Sequence, residues 1–563
     1  MINTGGEATK EDDYNLLDRP WVNVTYTDGH VCEVSLKTLL LDAHLIREIS
    51  GDMPQQTLPI LRTALAVLYR AYGKDHHGLA EKGDNSVLMS YWKFIWDSGR
   101  FDQGILKEYL DEFHDRFYLF DSENPFYQTP GLEYYAGKGE YEGIGELIAD
   151  VPKPEKFLFS MRAKNELDSV SSAEAARWLL FFQAYDIAGN KPAVVGETHS
   201  HKNKVAAPHS RVGTGWLGAL GGIYLEGPSL FHTLMLNWAL VNPQAKEESD
   251  RWFGNSKDLA PWERKAPGPD MNLDYRPTGV VDMLTLQSRR VRLIPDRSKT
   301  RVVGIIKCYG DCITAENMDG MEPMTAWRKG SRRRATPPYL PATFTSGRAI
   351  WRQLQSIIST GDDNDVDDLR PGVIKWVEKL QKADQLSGSQ IGDMLQVARI
   401  HVQGMTYGKM NGCYEDAIDD SIDANLQLLH HDASAVVAVV KVVKGTEKAV
   451  GSLADFAKKV EECSGMSSKK GKANTISNRT KEEAYSVLDD FFRQKIADIT
   501  SDTPVEEYRE DWILAIFSIL WNLARGIVEQ SNAPSFVVKR QGTKQPQLLL
   551  NDLHSDLKTD LKL

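Results

Sequence analysis

Metal-dependent phosphoryl chemistry needs histidines and carboxylates gathered within a few ångströms of one another. In this 563-residue chain two His-Asp pairs suggest where to look, His114-Asp115 in "FHDRF" and His431-Asp432 in "LHHDAS". With 13 histidines in the chain, about one such dipeptide arises by chance, and no further His or Asp cluster completes a site at either place. His199, His201 and His209 lie in a Gly/His/Ser-rich stretch without ligand spacing. Cys308 and Cys312 lack a second Cys/His pair at zinc spacing. Asp363, Asp365 and Asp367 fit the first ligand positions of a calcium loop, but the turn glycine is missing and Ile374 stands where the closing glutamate belongs. Nucleotide-loop, zincin, nucleophile-elbow and dinucleotide fingerprints are absent. The expectation is a chain without enzyme activity, cofactor or metal, with a metal-dependent His-Asp phosphohydrolase or nuclease as the competing reading and a helical scaffold as a third.

Chemistry that grips nucleic acid is better represented. The net charge is −11, yet Arg289 to Arg334 carries twelve Lys/Arg against five acids and ends in "WRKGSRRRATPP". Arg332, Arg333 and Arg334 are candidate phosphate contacts; a solvated basic loop is the plain alternative. A second candidate is "TYGKMNGCYED", residues 406–416. Asn411-Gly412 signals a tight hairpin turn with both residues at positive φ, and Lys409 and Met410 stand just before its tip. With only Tyr407 and Tyr414 as good strand formers, such a finger is marginal alone. An apolar residue at a hairpin tip can push between base pairs from the minor groove; a partner-protein contact is the other use of such a tip.

Positioning these residues takes more than one domain. The start of the chain is polar and acidic, unlike a signal peptide, and its apolar runs, such as "WILAIFSILW", are about half a bilayer span. Five scattered cysteines suit a reducing cytoplasm. "RPWVNVTYTDGHVCEVSL" alternates around Asp28-Gly29 and predicts an opening hairpin. Helical spacing follows at 58–68 and 87–95, and "AEAARWLLFFQAY" predicts a helix capped by Ser171 or Ser172. The stretch from Gly189 to Gly222 reads as irregular, and "TGVVDMLTLQSRRVRLIPD" and "RVVGIIKCYG" read as strands. After about residue 418 the pattern becomes helical, with an interruption at Glu447 and capping boxes at Thr480/Glu483 and Thr503/Glu506. The predicted class is α+β, a large irregular mixed domain over residues 1–418 followed by a four-helix bundle over 419–563.

Over nearly its whole length the chain resembles the CasA family, the large subunit of the type I-E CRISPR complex Cascade. The resemblance rests on "NLLDRPWVNV" (15–24), "NPFYQTPG" (124–131), "GTGWLGALGGIYLEGPSLFHTLMLNWAL" (213–240), "GVVDMLTLQSRRVRLIPD" (279–296) and "GIIKCYG" (304–310), in family order. It implies a non-catalytic protein that recognises a protospacer-adjacent motif in duplex DNA from the minor groove and helps open it for guide RNA. The implied partners are the guide RNA, the other Cascade subunits, target DNA and a recruited helicase-nuclease, with no membrane. The resemblance places a guide-proximal loop on Phe159, Ser160 and Met161, a lysine finger on Lys307, and a wedge at Lys409, Met410 and Asn411, where the family often has glutamine at the last of these. The family's glycine pair falls on Ser171-Ser172, a departure that bears on how closely the backbone approaches the groove.

Overall fold

Alternation around Asp28-Gly29 becomes an antiparallel pair, β1 (Val22–Tyr26) and β2 (Val31–Val34), with Val24 opposite Cys32 and Gly29 at φ +91°. β3 (Ile46–Ser50) pairs with the other edge of β1, so Val22, Val24, Ile46 and Ile49 all face the interior. The computed structural model describes residues 13–74, 85–135, 138–150, 168–242, 252–331, 336–358, 368–383, 397–429, 434–463, 470–500, 502–531 and 545–563. These fall into two compact units. The first draws on Met1–Gly347, Leu369–Leu395 and Arg399–Ser421, and the second on Arg348–Asp368, Gln396–Ala398 and Ile422–Leu563.

In the first unit, α1 (Thr57–Gly73) is buried along most of its circumference, and α2 (Asn85–Ser98) turns Trp92 and Trp96 inward. Arg62 of α1 is itself buried. Its guanidinium forks onto Glu322 at 2.7 and 2.9 Å, and Trp216 Nε1 donates to the same carboxylate at 2.7 Å. Such a pair tolerates desolvation because its donors and acceptors are matched. α3 (Ser172–Tyr185) begins as its sequence predicts, with the Ser171 hydroxyl accepting from Glu174 N at 3.1 Å.

β4 (Gly222–Glu226) follows an irregular stretch. The predicted strand at 279–296 then divides in two: Val280–Leu284 is a short helix, and only Arg289–Pro295 (β5) is extended. The Asp258 carboxylate explains the change, because it accepts from Val281 N at 2.8 Å and Asp282 N at 2.9 Å and so caps a helical turn. β5 pairs with β6 (Arg301–Tyr309), and short segments at 142–143 and 170–171 add to the other edge of β6. β7 (Val397–Tyr407) pairs with β4, and β8 (Tyr414–Asn425) lies on the outer side of β7. The finger is therefore no short stalk. It is the end of two strands of 11 and 12 residues in a three-stranded sheet.

The second unit is dominated by α4 (Ser434–Cys463), α5 (Lys470–Ala497), α6 (Val505–Glu529) and α7 (Pro546–Leu561), with α4 packed on the other three. α4 runs unbroken through Glu447, whose carboxylate faces Arg348 at 2.5 Å and Arg352 at 3.3 Å. Trp351 stacks on Phe492 at 3.9 Å and donates to Asp489 at 2.8 Å, which joins residues 348–358 to the helices. Neither predicted capping box forms. Thr480 lies within α5, and Thr503 turns its hydroxyl to Thr500 N at 2.8 Å while Pro504 caps α6. α6 is long and apolar enough by composition to cross a membrane, more than "WILAIFSILW" alone suggests. Trp512, Ile516, Leu520 and Ala524 are buried on it.

Candidate nucleic-acid interface

The hairpin tip starts from one closing pair: Gly408 N–H donates to Cys413 O at 3.0 Å and leaves a four-residue loop, 409–412. Inside it Asn411 N donates to Gly408 O at 2.9 Å and Gly412 N to Lys409 O at 3.2 Å. The left-handed residues are Met410 (φ +57°) and Asn411 (φ +52°), while Gly412 sits at φ −87°. The turn thus lies one residue earlier than Asn411-Gly412 predicts, because the strand register places the closing pair and the loop's middle falls on Met410. Lys409, Met410 and Asn411 are all exposed, Met410 at 84%. A left-handed conformation costs a side chain such as Met410's about 1–2 kcal/mol.

The tip is braced from below. Asn411 O accepts from Ala188 N at 2.8 Å, and Tyr407 OH donates to Tyr185 O at 2.7 Å. Both anchors flank Asp186, a buried carboxylate 2.6 Å from Lys191 Nζ and 2.5 Å from Arg289 Nε. Arg289 also donates to the carbonyls of Asp186, Ile187 and Gly213 at 3.2, 3.1 and 2.9 Å. Burial opposes ionisation of Asp186, but Lys191, Arg289 and Lys307 outweigh it and hold its carboxyl well below the usual range. The segment behind the tip is pinned by a buried ion cluster, and no local pattern around Asp186 announces it.

The other predicted contacts are placed very differently from one another. Lys307 is buried on β6, with its ammonium paired to Glu146, 3.8 Å from Glu142 and 5.7 Å from the centre of the Phe182 ring. Reaching a groove would require that pair to open. Ser171 is exposed, with its hydroxyl occupied in capping α3. Ser172 is buried, and its hydroxyl donates to Lys299 O at 3.0 Å. Beside Ser171, which pairs with Arg301 at the start of β6, the β5–β6 turn carries Arg297 and Lys299. Of the basic segment, Arg289 and Arg290 are buried against Asp186 and Asp311, so they are not phosphate contacts. Phe159, Ser160, Met161, Arg332, Arg333 and Arg334 lie outside the described residues, as does His431-Asp432.

No His-Asp hydrolase geometry forms at His114. Its Nε2 meets Asp18 at 2.7 Å and Asp115 is 3.9 Å from Nδ1, in an exposed pair without further ligands among the described residues. Cys308 and Cys312 lie in an apolar cluster with Val194, Met271 and Tyr309, and burial pushes their thiols up to about 12 and about 11. Among the described residues, one group of metal-ligating side chains does come together, Glu197, His199 and Asp270.

The family model for CRISPR-associated protein Cse1 matches residues 15–523. The chain belongs to the Cse1 family. Among relatives of this Cse1-family chain, CasA/Cse1 of Thermus thermophilus is 26% identical over 345 residues, which cover 61% of this chain and 60% of that protein. The crystal structure of Thermobifida fusca Cse1 superposes with a TM-score of 0.83 at 28% identity and covers 98% of both chains. Acidimicrobium ferrooxidans Cse1 superposes at 0.79 with 25% identity, over 98% of this chain and 99% of that one. A chain of a CRISPR RNA-guided surveillance complex shares the fold at a TM-score of 0.68 and 17% identity, over 97% and 99% of the two chains. Sequence reasoning on this Cse1 member missed the Arg297–Arg301 turn as a unit. The signal was present in the spacing "DRSKTR", a polar, basic turn between two apolar strands.

Proposed function

We propose that this chain is the non-catalytic large subunit of a type I-E surveillance complex, reading the protospacer-adjacent motif from the minor groove and easing the first base pairs apart. The observation that carries the reading is the tip at Lys409–Asn411: an apolar side chain, 84% exposed in a strained conformation, held by main-chain bonds at the end of a long sheet. Exposure of a single methionine in that state has no benefit to folding and suits insertion between stacked bases. Minor-groove edges chiefly separate A·T from G·C, so reading there would be permissive. Membership of the Cse1 family and the fold shared with a surveillance-complex chain support the same reading. Guide RNA, the remaining subunits, duplex DNA and a helicase-nuclease are the partners it implies, in the cytoplasm. The Arg297, Lys299 and Arg301 turn would supply phosphate contacts beside Ser171, and Lys307 would enter the groove after exchanging Glu146 for DNA.

Reconstitution tests it. A guide-loaded complex assembled with this chain should bind motif-bearing duplex in preference to motif-free duplex and leave both uncut in Mg²⁺ and Mn²⁺. Omission of the chain should abolish the preference. A preference that survives omission refutes the reading, and cleavage by the chain alone favours a nuclease.

A further inference from the structure

Glu197, His199 and Asp270 each place one ligand atom within 4.8 Å of the others. His199 Nδ1 is 3.1 Å from Glu197 Oε1 and 3.4 Å from Asp270 Oδ1. A tetrahedral ion bound at 2.0–2.2 Å by nitrogen and oxygen donors needs ligand atoms about 3.3 Å apart, so both separations already suit one. We propose that these three side chains form a site for a divalent first-row transition ion, with water completing the shell.

The surroundings favour a cation at this point. The Glu197 side chain is fully buried, yet among the described residues neither it nor Asp270 has a lysine or arginine within ion-pair distance. Two carboxylates face one imidazole, which leaves a negative surplus in a partly desolvated place. The ligands are also oriented by main-chain donors, as coordinating carboxylates commonly are. Glu197 Oε1 accepts from His199 N at 2.7 Å, Glu197 Oε2 from Met271 N at 2.8 Å, and Asp270 Oδ1 from Thr198 N at 2.9 Å. Gly196, at φ +90°, lets the turn press on Pro269, where an added Cβ would stand 2.7 Å from Cγ. Imidazole selects a transition ion over Mg²⁺ or Ca²⁺, and Zn²⁺ is the natural occupant in this ligand class. The ion would staple the 196–199 turn to the 269–271 segment, a structural role independent of the DNA-recognition reading.

The full chain, stripped with EDTA and dialysed, is titrated with Zn²⁺ by calorimetry and with Co²⁺ by visible absorption. One ion per chain should bind and raise the melting temperature. E197Q, H199A and D270N should each weaken binding at least about tenfold and remove the thermal shift, while H201A leaves both intact. Because buried Glu197 risks misfolding when changed, the exposed His199 variant decides. Stoichiometric binding that persists in H199A overturns the site. Failure of the parent chain to bind Zn²⁺ or Co²⁺ shows an ordinary His–carboxylate ion pair and overturns it equally.

Discussion

Replacing Met410 by glycine separates the work of the tip from the stability of the hairpin. Met410 is 84% exposed and left-handed, so its removal takes away little packing. Glycine adopts φ +57° without strain, and the fold should gain up to about 1 kcal/mol. If the side chain helps to unstack one or two base-pair steps at about 1.4 kcal/mol each, its loss withdraws roughly 1.4–2.8 kcal/mol from duplex opening, a ten- to hundredfold effect. Strand opening by the assembled complex can be followed with 2-aminopurine placed beside the motif. M410G should open a fully paired target ten- to hundredfold less well. It should match the parent on a target with a preformed bubble of two or three mismatches, where the unstacking cost is removed beforehand. M410A, which loses the same apolar reach but keeps the left-handed strain, should show the same pattern with a lower melting temperature than M410G. Equal loss on both targets, or no loss on either, refutes the wedge.

Three further outcomes follow from the interface. Lys307→Ala should weaken motif-bearing DNA more than motif-free DNA, and Glu146→Gln, which removes the nearer of the two carboxylates at the ammonium, should strengthen the former; equal changes on both DNAs would make Lys307 a mere phosphate contact. Charge reversal at Arg297, Lys299 and Arg301 should lower affinity for every duplex and flatten the slope of log K against log salt by about 0.9 per phosphate lost. The same holds for Arg332, Arg333 and Arg334, and an unchanged slope shows that the segment reversed never meets the backbone. Asp186→Asn should cost about 3–5 kcal/mol in urea unfolding, since it leaves Lys191 and Arg289 buried without their partner. The folded Asp186 carboxyl is depressed, so its contribution is complete above the unfolded value near pH 4 and is lost as pH falls towards the folded value. Asp186→Asn should therefore flatten the acid limb of stability against pH; an unaltered limb contradicts the ion cluster.

The opening hairpin, the Ser171 cap and the long bundle helices were legible from local period and, at Ser171 alone, from capping chemistry; β3 on the other edge of β1 was not. What escaped depends on residues far apart in sequence. β8 reads "YEDAIDDSIDAN", too acidic to look like a strand, and is held by its pairing with β7. Val280–Leu284 became a helix through Asp258, more than twenty residues away. Counting charge along 289–334 overstated the basic surface, because strand alternation cannot reveal that Arg289, Arg290 and Lys307 each meet a buried or half-buried acid. His199 looked idle for the same reason, since Asp270 lies some seventy positions on.

If the chain reads DNA as proposed, the bond from Ala188 N to Asn411 O has a consequence for how such a reader changes. It fixes the place of the tip through main-chain atoms, so the side chains at 409–411 carry none of the positioning. On the proposed reading, exchanging them would alter what is offered to the groove without altering where it is offered. Motif preference can then drift, or be selected in the laboratory, through substitutions at three exposed positions, while the sheet and the ion cluster beneath stay as they are.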